Sequence, residues 1–579
     1  MSVFDGVLGL LSKMVCIEGI SQSDLEMINN KTKVLPGLLD SLAKTWSQME
    51  SKQDITIDDL QTLYDILSTS HAGGLLPFSD LEPLLKQKIS EGIISADELY
   101  QLGIELDWMS PRVPGTQAMD DTADYIVEKL QSYGLQAWTE PINFNGVFFH
   151  DWSLELLSPN PKNITCFPQN NVAFADICAE IIDVGHGYEA DYTGKDVKGK
   201  IVLVNWGELF DHEGPCTLRQ RYGLLHLYDL AYSRGAAAMI GYFEDTPGNT
   251  LKLVEPGIKP TGGSNVWGQV EAGPDNQFQL PVLNIGHEDG IELGKLLQKE
   301  KVECHFVIKG VHKVSTTKAV FGLLPGRTST TIACGSHSCT AFEGAICDTV
   351  GIVSCLALAK YFAAKPLAER EKSMLFFFDS FHVWGNCCQT AIMLEHRHPS
   401  MFKKIDSFIW LDHLSDGKAD TGRPAITSDN AVMWPLFTLL MAKYHIAPIA
   451  LPIGRMWSLC ATGTFERRGI PAVTVQALND ITLTPEDTWD KFAPDILFRD
   501  IMLHIELAQS LQAIKIPQNE PGEPIGGCGA LFTETVLPEY PAGESYVPEA
   551  SYPLYVGGEH SPITILRTLA EKKAFVGKK

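Results

Sequence analysis

The chain has 579 residues, 45% of them hydrophobic and 20% charged, with a formal net charge of −25. This balance is typical of a folded protein with a sizeable core, divided into about two or three domains. A strongly acidic chain without a run of Lys or Arg argues against a nucleic-acid partner, because phosphate binding requires a basic surface.

No membrane partner is predicted either. We find no continuous apolar stretch of bilayer length, and the first twenty residues lack a basic start and carry Asp5 within their apolar part. The 13 cysteines are an odd number scattered along a long chain, which indicates reduced thiols rather than a disulfide framework. We therefore predict a cytoplasmic protein.

The first elements in chain order are helical. Residues 1–100 show helix-period apolar spacing, as in DDLQTLYDILSTS, and are predicted to form a helical N-terminal extension. A Pro/Gly loop then leads into a predicted amphipathic helix whose apolar positions include Ala123, Ile126 and Leu130, followed by a strand. This helix and strand open an α/β unit.

Strands and helices alternate in the rest of the chain. Residues 170–312 have short strands and turns, as in DVKGKIVLVNWG, and predict a β-rich insertion. From 313 to about 515, alternating strands and helices predict an α/β fold with a mainly parallel sheet flanked by helices. The predicted units are 1–100, 101–169 with 313–516, 170–312, and a loop-rich, Pro-rich C-terminal extension at 517–579.

Metal-ligating residue types follow the predicted strands of this sheet. His337 follows TTIACGS, His382 follows LFFFDSF, and Asp412 follows FIWL, while Asp348 opens a helix. In open parallel sheets the chemistry lies beyond the carboxyl ends of the strands, and His and Asp collected there form a typical zinc site. Two alternatives remain: Asp348 as a helix cap and His337 as a core histidine. If the strand continues past Asp412, His413 points to the opposite side, and it is not counted among the ligands.

Five segments together resemble the di-zinc aminopeptidase family of clan MH, which includes the glutamate carboxypeptidase and transferrin-receptor relatives. The segments are SPRVPGTQAMDDTADYI, SHSCTAFEGAICDTVGI, FFFDSFHVWG, FIWLDHLSD and GIPAVTVQALNDITLTPEDTWDKF. The resemblance covers roughly residues 110–515. It implies a zinc-peptidase-like fold, and residues 170–312 resemble the protease-associated domain that many of these proteins carry as an insertion.

The resemblance implies one complete ligand set. His337, Asp348 and Asp412 match the histidine, the bridging aspartate and the strand-end aspartate that hold the family's first metal. The aspartate that follows the family's histidine by two positions is Cys339 here. A carboxylate that would orient the histidine is therefore replaced by a thiol.

The second half of the family's site is degenerate. Phe381 and His382 align with two consecutive glutamates, of which the first is the general base and the second a ligand. Leu483 aligns with the last histidine ligand. Histidine is able to bind zinc, but phenylalanine takes no proton and leucine offers no donor atom. Ordinary di-zinc aminopeptidase activity is not expected.

Two hypotheses from different classes remain. In the first, His337, Asp348 and Asp412, joined by His382, hold one divalent ion, expected to be zinc, and the protein hydrolyses or otherwise modifies an amide or peptide substrate. His382 is then a ligand or the acid/base. In the second, the protein is a catalytically inactive pseudopeptidase that acts as a binding or scaffold module.

Further residues are considered for catalysis, and a surface for self-association is predicted. Cys339 and Glu343 are predicted to assist catalysis, and Glu343 or Asp379 is considered as a replacement for the missing base. Large relatives of the family often pair through a helical domain after the peptidase domain. Here only about sixty residues follow that domain, so the helical residues 1–100 are the predicted surface for homo-oligomer formation.

Overall fold

The structure is a computed structural model. It describes residues 95–169, 172–207, 227–228, 230–243, 249, 280–384, 389–414, 425–428, 430, 432–444, 451–452, 461–466, 468–475, 481–491 and 494–521. Almost all of the predicted N-terminal extension, and the C-terminal extension beyond 521, lie outside the described residues. Their predicted helices and the predicted self-association therefore stay predictions.

Nine helices are described in these ranges. They are α1 Ala96–Asp107, α2 Gln117–Ser132, α3 His287–Leu297, α4 Val350–Ala364, α5 Gln389–Arg397, α6 Pro399–Phe402, α7 Met433–Lys443, α8 Thr462–Glu466 and α9 Pro494–Ala513. Helix α2 begins where the Thr116 side chain accepts a hydrogen bond from the Met119 N–H. Its predicted apolar positions Ala123, Ile126 and Leu130 are all buried, which confirms the expected amphipathic helix.

Fourteen strands form one extended sheet. They are β1 Gln136–Leu156, β2 Lys162–Ile164, β3 Cys166–Pro168, β4 Ala175–Asp183, β5 Ile201–Asn205, β6 Ala238–Tyr242, β7 Val282–Ile285, β8 Glu303–Leu324, β9 Thr331–His337, β10 Ser373–Asp379, β11 Ile405–Leu411, β12 Ala425–Thr427, β13 Leu451–Pro452 and β14 Ala472–Val475. The strand order is β13-β12-β14-β11-β9-β10-β8-β4-β5-β6-β7-β3, and β1 pairs with β2 and β8.

The centre of the sheet is parallel. β9 pairs in parallel with β10 on one side and β11 on the other, and β11 pairs in parallel with β14. Apolar residues of α4, α7 and α9 form one buried cluster with these strands, whereas residues of α5 and α8 belong to a second. The predicted α/β fold with a mainly parallel sheet flanked by helices is confirmed.

Two long strands join the two parts of the sheet. β1 and β8 pair antiparallel along almost their whole length, with a bulge between Phe149 and Asp151. The first half of β8 also pairs with β4, and its second half with β10. Strands β4–β7 share a separate hydrophobic cluster. β8 runs without a break across the predicted boundary at 312/313, and the division into domains stays a prediction.

Helix α4 and the turn before it form the most apolar element. Contrary to the prediction that no apolar stretch reaches bilayer length, the run Ala345–Ala364 is long and apolar enough by composition to cross a membrane. However, 94% of its apolar window is buried inside the fold. A run of this kind is typical of the core helix of a sheet flanked by helices on both faces. Its N-terminus lies against the end of β11, because the carbonyl of Leu411 closely approaches Gly351.

Gly351→Ala should destabilise the protein. An added Cβ would lie 2.4 Å from the Leu411 carbonyl oxygen and 2.1 Å from Asp348 Oδ2, so that backbone and carboxylate must move. We expect a loss of about 1–3 kcal/mol in the free energy of unfolding, as for other overpacked cores.

The control for this prediction is Gly294→Ala, within helix α3, where an added Cβ would come no closer than 3.8 Å to its nearest neighbour. Replacing this glycine inside a helix by alanine should raise the free energy of unfolding by about 0.5–1 kcal/mol. Urea denaturation of both variants measures the difference. Equal stability of the two would contradict the close approach of α4 and β11.

Candidate metal centre

Three adjacent strands bring the candidate residues to one edge of the sheet. β9 ends at His337 and β10 at Asp379, three residues before His382, while β11 ends one residue before Asp412. His337 and Asp379 are opposite one another in the parallel register. Because parallel strands end at the same edge, residues far apart in sequence meet there.

The side chains of this edge contact one another in the interior. His337 Nε2 lies 3.3 Å from Asp412 Oδ1 and 3.9 Å from Asp348 Oδ2, and His382 Nε2 lies 3.7 Å from Asp412 Oδ2. All four residues are at most 1% exposed. The structure therefore assembles all the predicted metal ligands in one buried cluster.

Asp348 has a structural role as well as a place in the cluster. It belongs to a distorted helical segment, Ala345–Thr349, and has non-helical backbone angles of φ −148° and ψ 50°. Its Oδ1 accepts hydrogen bonds from the N–H groups of Gly351 at 2.9 Å and His413 at 3.3 Å, and its Oδ2 accepts from the His337 N–H at 3.4 Å. The capping alternative and the site interpretation are thus compatible.

Hydrogen bonds orient the cluster from outside. His337 Nδ1 lies 2.9 Å from the Cys339 carbonyl oxygen, whereas the Cys339 thiol is 3.9 Å from the same nitrogen and accepts from the Val383 N–H. The backbone carbonyl thus takes the place of the missing carboxylate. With Nδ1 as the donor, Nε2 of His337 presents its lone pair to the cluster. The indole N–H of Trp410 donates to Asp412 Oδ2 at 2.8 Å.

The charges of the cluster follow from its burial. Burial, together with the adjacent His382, lowers the pKa of His337 to about 4, so this ring is neutral. Burial and the neighbouring Asp412 raise the pKa of Asp348 well above its usual range. Burial alone would raise the pKa of Asp412, but the His413, His337 and His382 rings hold it well below its usual range.

Sequence reasoning missed two members of the cluster. The prediction for His413 is wrong: β11 ends at Leu411, and His413 adopts a left-handed φ of 52°, so its ring turns back to place Nε2 3.4 Å from Asp412 Oδ1. Cys347 was not considered, although it precedes Asp348; its Sγ lies 3.7 Å from His337 Nε2. Both residues lie next to a predicted ligand in the sequence, and this adjacency was the signal that could have identified them.

The loop after β10 aligns with the family's catalytic loop, but the phenyl ring of Phe381 lies at its tip. The Asp379 carboxylate accepts from the N–H groups of Phe381 at 2.8 Å and Thr390 at 3.3 Å, so both of its oxygens hold the loop. Phe381 is 5% exposed and packs edge-to-face on Phe144, with ring centroids 4.7 Å apart. At the position that aligns with the family's general base, the structure has a core residue.

An apolar group borders the cluster through Cys339 and Cys347, whose sulfur atoms lie 3.9 Å and 3.7 Å from ring nitrogens of His337. Leu483, with a positive φ of 62°, is buried together with Phe167 of β3, Phe342, Val383 and further residues, Met119, Cys339, Ala341 and Cys347. We call these residues the apolar cover. Leu483 stands where the last histidine ligand was expected, and its side chain packs instead of coordinating.

Glu343 lies outside the metal cluster. In the described part of the chain its Oε2 has no hydrogen-bond partner, and its nearest charged neighbours are Asp107, Asp487, Asp490 and Lys491. Burial, followed by the repulsion of the three aspartates, raises its pKa to about 9. Glu343 is therefore a protonated carboxyl group next to other acids rather than an assistant at the cluster.

The donor atoms of the cluster suit a divalent ion. His337, His382 and Asp412 form one triad whose donor atoms lie within 4.8 Å of one another, and His337, Cys347 and His413 form another. Imidazole, carboxylate and thiolate are the ligand types that zinc uses in proteins. The chemistry of the residues present therefore fits a metal, and the carboxylates balance its charge.

Comparisons with known proteins identify the fold. No protein-family model and no curated protein matches the chain. A peptidase M28 precursor from Shewanella amazonensis SB2B is similar in structure, with a TM-score of 0.60, 15% identity, and coverage of 76% of this chain and 98% of that one. BSAP, a zinc aminopeptidase from Bacillus subtilis, is similar with a TM-score of 0.54, 17% identity, and coverage of 74% and 98%.

At these identities the likeness establishes the fold, and the chain has a zinc-peptidase-like fold. The predicted resemblance is confirmed at that level. The protease-associated insertion stays a prediction.

Glu343→Gln should change how stability depends on pH. The pKa of Glu343 is raised from 4.5 to about 9 in the folded protein, so between these values the native state binds a proton that the unfolded state has lost. Stability then falls as the pH rises, by up to about 1.4 kcal/mol per pH unit. Glu343→Gln should remove this component and gain stability relative to the parent protein at higher pH.

The measurement is urea denaturation at about pH 5.5 and about pH 8. The exposed Glu300→Gln is the matched control and should behave like the parent protein at both values. A Glu343→Gln variant with the parent's pH dependence would contradict the raised pKa.

Proposed function

We propose that this protein binds one divalent metal ion, zinc, and hydrolyses amide or peptide bonds with a mono-metal version of the peptidase site. The observation that carries the proposal is the 3.3 Å approach of His337 Nε2 to Asp412 Oδ1, with Asp348 and His382 within 4 Å of that pair. Uncompensated carboxylates are costly to bury, and a divalent cation offsets that cost.

The surrounding contacts support a metal-binding role. The Cys339 carbonyl and the Trp410 indole fix the orientation of His337 and Asp412, as outer partners of zinc ligands usually do. A neutral His337 is the protonation state that a ligand requires. A bound divalent ion would supply Lewis-acid activation of water and of a carbonyl group.

His382 is the residue proposed to handle the proton. Its ring stacks on His337 with centroids 4.4 Å apart and an interplanar angle of 20°, and its Nε2 faces Asp412 Oδ2. Phe381 removes the family's base, so an imidazole next to a carboxylate is the best remaining acid/base in the cluster. Cys339 is not proposed as a nucleophile, because burial raises the pKa of its thiol and so disfavours the reactive thiolate.

The substrate class is proposed from the fold. BSAP is a zinc aminopeptidase, and its fold is the one found here. This likeness supports an amide or peptide as the substrate class.

Metal content tests the first half of the proposal. Protein purified without chelator or added zinc should contain about one divalent ion per chain by plasma mass spectrometry, as expected for a single His/Asp site. His337→Ala and Asp412→Ala should each lose the ion, because each removes a central ligand. The control is His504→Ala, which alters a buried histidine whose Nδ1 contacts the Asp500 carbonyl oxygen.

Hydrolysis of aminoacyl and peptide amides tests the second half. The metal-loaded protein should turn over a member of such a panel, and His382→Gln should lower kcat by about two orders of magnitude or more, as expected for loss of a proton-transfer group. Retained metal with no turnover across the panel would leave a metal-binding protein and overturn the hydrolase proposal.

A binding or scaffold protein is the second candidate function. Phe381 and Leu483 are both buried core residues, and Leu483 belongs to the apolar cover. Removal of a base typically costs about two to four orders of magnitude in rate. On this proposal the metal cluster, or its carboxylates alone, would serve the fold, and another surface would bind the partner.

Phe381→Glu tests whether a carboxylate at the tip of this loop can still act as a base. If Phe381 is a core residue, the new carboxylate is buried beside Phe144 without a partner and costs about 1–3 kcal/mol in the free energy of unfolding, without a gain in amide hydrolysis. Phe381→Leu is the control and should lose less stability. A hydrolysis rate that rises in Phe381→Glu alone would show that the base position is still functional.

A further inference from the structure

We propose that the metal ion of this protein is held by a thiolate-containing ligand set, His337, Cys347 and His413, with Asp412 Oδ1 at the fourth position. The inference rests on the metal-binding half of the proposed function and differs from the ligand set expected from the sequence. It assigns ligand roles to two residues, Cys347 and His413, that lie next to the expected ligands Asp348 and Asp412.

Three of the separations between donor atoms lie close to those of a tetrahedral site. Zinc bonds of about 2.0–2.1 Å to nitrogen and about 2.3 Å to sulfur place neighbouring donors about 3.3 Å apart for nitrogen or oxygen, and about 3.6 Å apart for nitrogen and sulfur. His337 Nε2 lies 3.3 Å from Asp412 Oδ1 and 3.7 Å from Cys347 Sγ, and His413 Nε2 lies 3.4 Å from Asp412 Oδ1. The donors of His337, Cys347 and His413 all lie within 4.8 Å of one another.

Ring orientation distinguishes His413 from His382 as the second imidazole ligand. An imidazole donates through a lone pair in its ring plane. The His337 and His413 rings are at 88° with centroids 6.0 Å apart, so that their lone pairs are able to meet at one point. The His337 and His382 rings are stacked at 20° with centroids 4.4 Å apart, so their in-plane lone pairs lie in two nearly parallel planes. This arrangement leaves His382 outside the ligand set.

Backbone contacts hold the two added ligands in place. The His413 N–H donates to Asp348 Oδ1 at 3.3 Å, which fixes the turn that follows β11. The Cys347 N–H donates to Asp487 Oδ2 at 3.1 Å, and the Ile346 N–H donates to Asp487 Oδ1 at 2.8 Å. Asp348 and Asp487 thus serve as positioning residues for the ligands.

The donor set also predicts the kind of metal. A thiolate with two imidazoles favours zinc or another soft to borderline ion over magnesium or calcium, which prefer oxygen donors. The thiol of Cys347 loses its proton to solvent when the ion binds, so binding should weaken as the pH falls.

Cobalt substitution of the full-length protein tests the assignment. Co²⁺ bound in place of the native ion should give an intense near-ultraviolet sulfur-to-cobalt charge-transfer band together with the visible bands of a tetrahedral site. Cys347→Ser should lose the charge-transfer band. Cys339→Ser is the matched control, because Cys339 is the other buried thiol near His337, and it should keep the band. His413→Gln should keep the charge-transfer band and change the visible bands.

Each outcome decides the proposal. The expected pattern in the three variants, with folding verified by circular dichroism, supports it. Stoichiometric cobalt without a thiolate band, or with a band that Cys339→Ser removes, overturns the ligand set and leaves metal binding in place. No cobalt binding by the parent protein overturns both this inference and the metal half of the proposed function. If Cys347→Ser does not fold, the parent spectrum and His413→Gln decide alone: a missing thiolate band, or unchanged visible bands, overturns the assignment.

Discussion

The contact between His337 Nε2 and Asp412 Oδ1 joins the ends of two adjacent parallel strands in the interior of the protein. Neither side chain is exposed to solvent, and an isolated ionised carboxylate at such a depth would be strongly unfavourable. Hydrogen bonds from neighbouring groups at this edge of the sheet offset the cost of burying the carboxylate. The Trp410 indole donates to the carboxylate, and the Cys339 carbonyl turns the imidazole towards it.

The backbone of the loop after β10 is held independently of the side chain at its tip. Asp379 holds the loop through the N–H groups of Phe381 and Thr390, which depend only on the backbone. The side chain at the tip is then free to vary, and Phe381 packs on Phe144. A loop shaped for chemistry is therefore weak support for that chemistry, because backbone geometry and side-chain function are specified by different contacts.

Sequence reasoning recovered the fold and most of the cluster because both depend on strand order. Apolar runs locate β9, β10 and β11, and the residues after them must share one edge of a parallel sheet. His413 was misplaced because apolar alternation describes a strand and not the left-handed residue after it, with φ 52°. Cys347 was missed for a similar reason, because its non-helical backbone, φ −117° and ψ 78°, lies in what looked like the start of a helix.

The environment of Glu343 was not predictable from the sequence because it is formed by residues from distant parts of the chain. Asp107 precedes it by more than 200 positions and Asp487 follows it by more than 100, and only the folded chain brings these acids together. Asp487 is shared by both environments: it lies beside Glu343 and accepts the Cys347 N–H. Lys491 also lies beside Glu343, and its Nζ contacts Glu486. Asp487 therefore supports the segment that carries Cys347 and Asp348 by accepting the backbone N–H groups of Ile346 and Cys347.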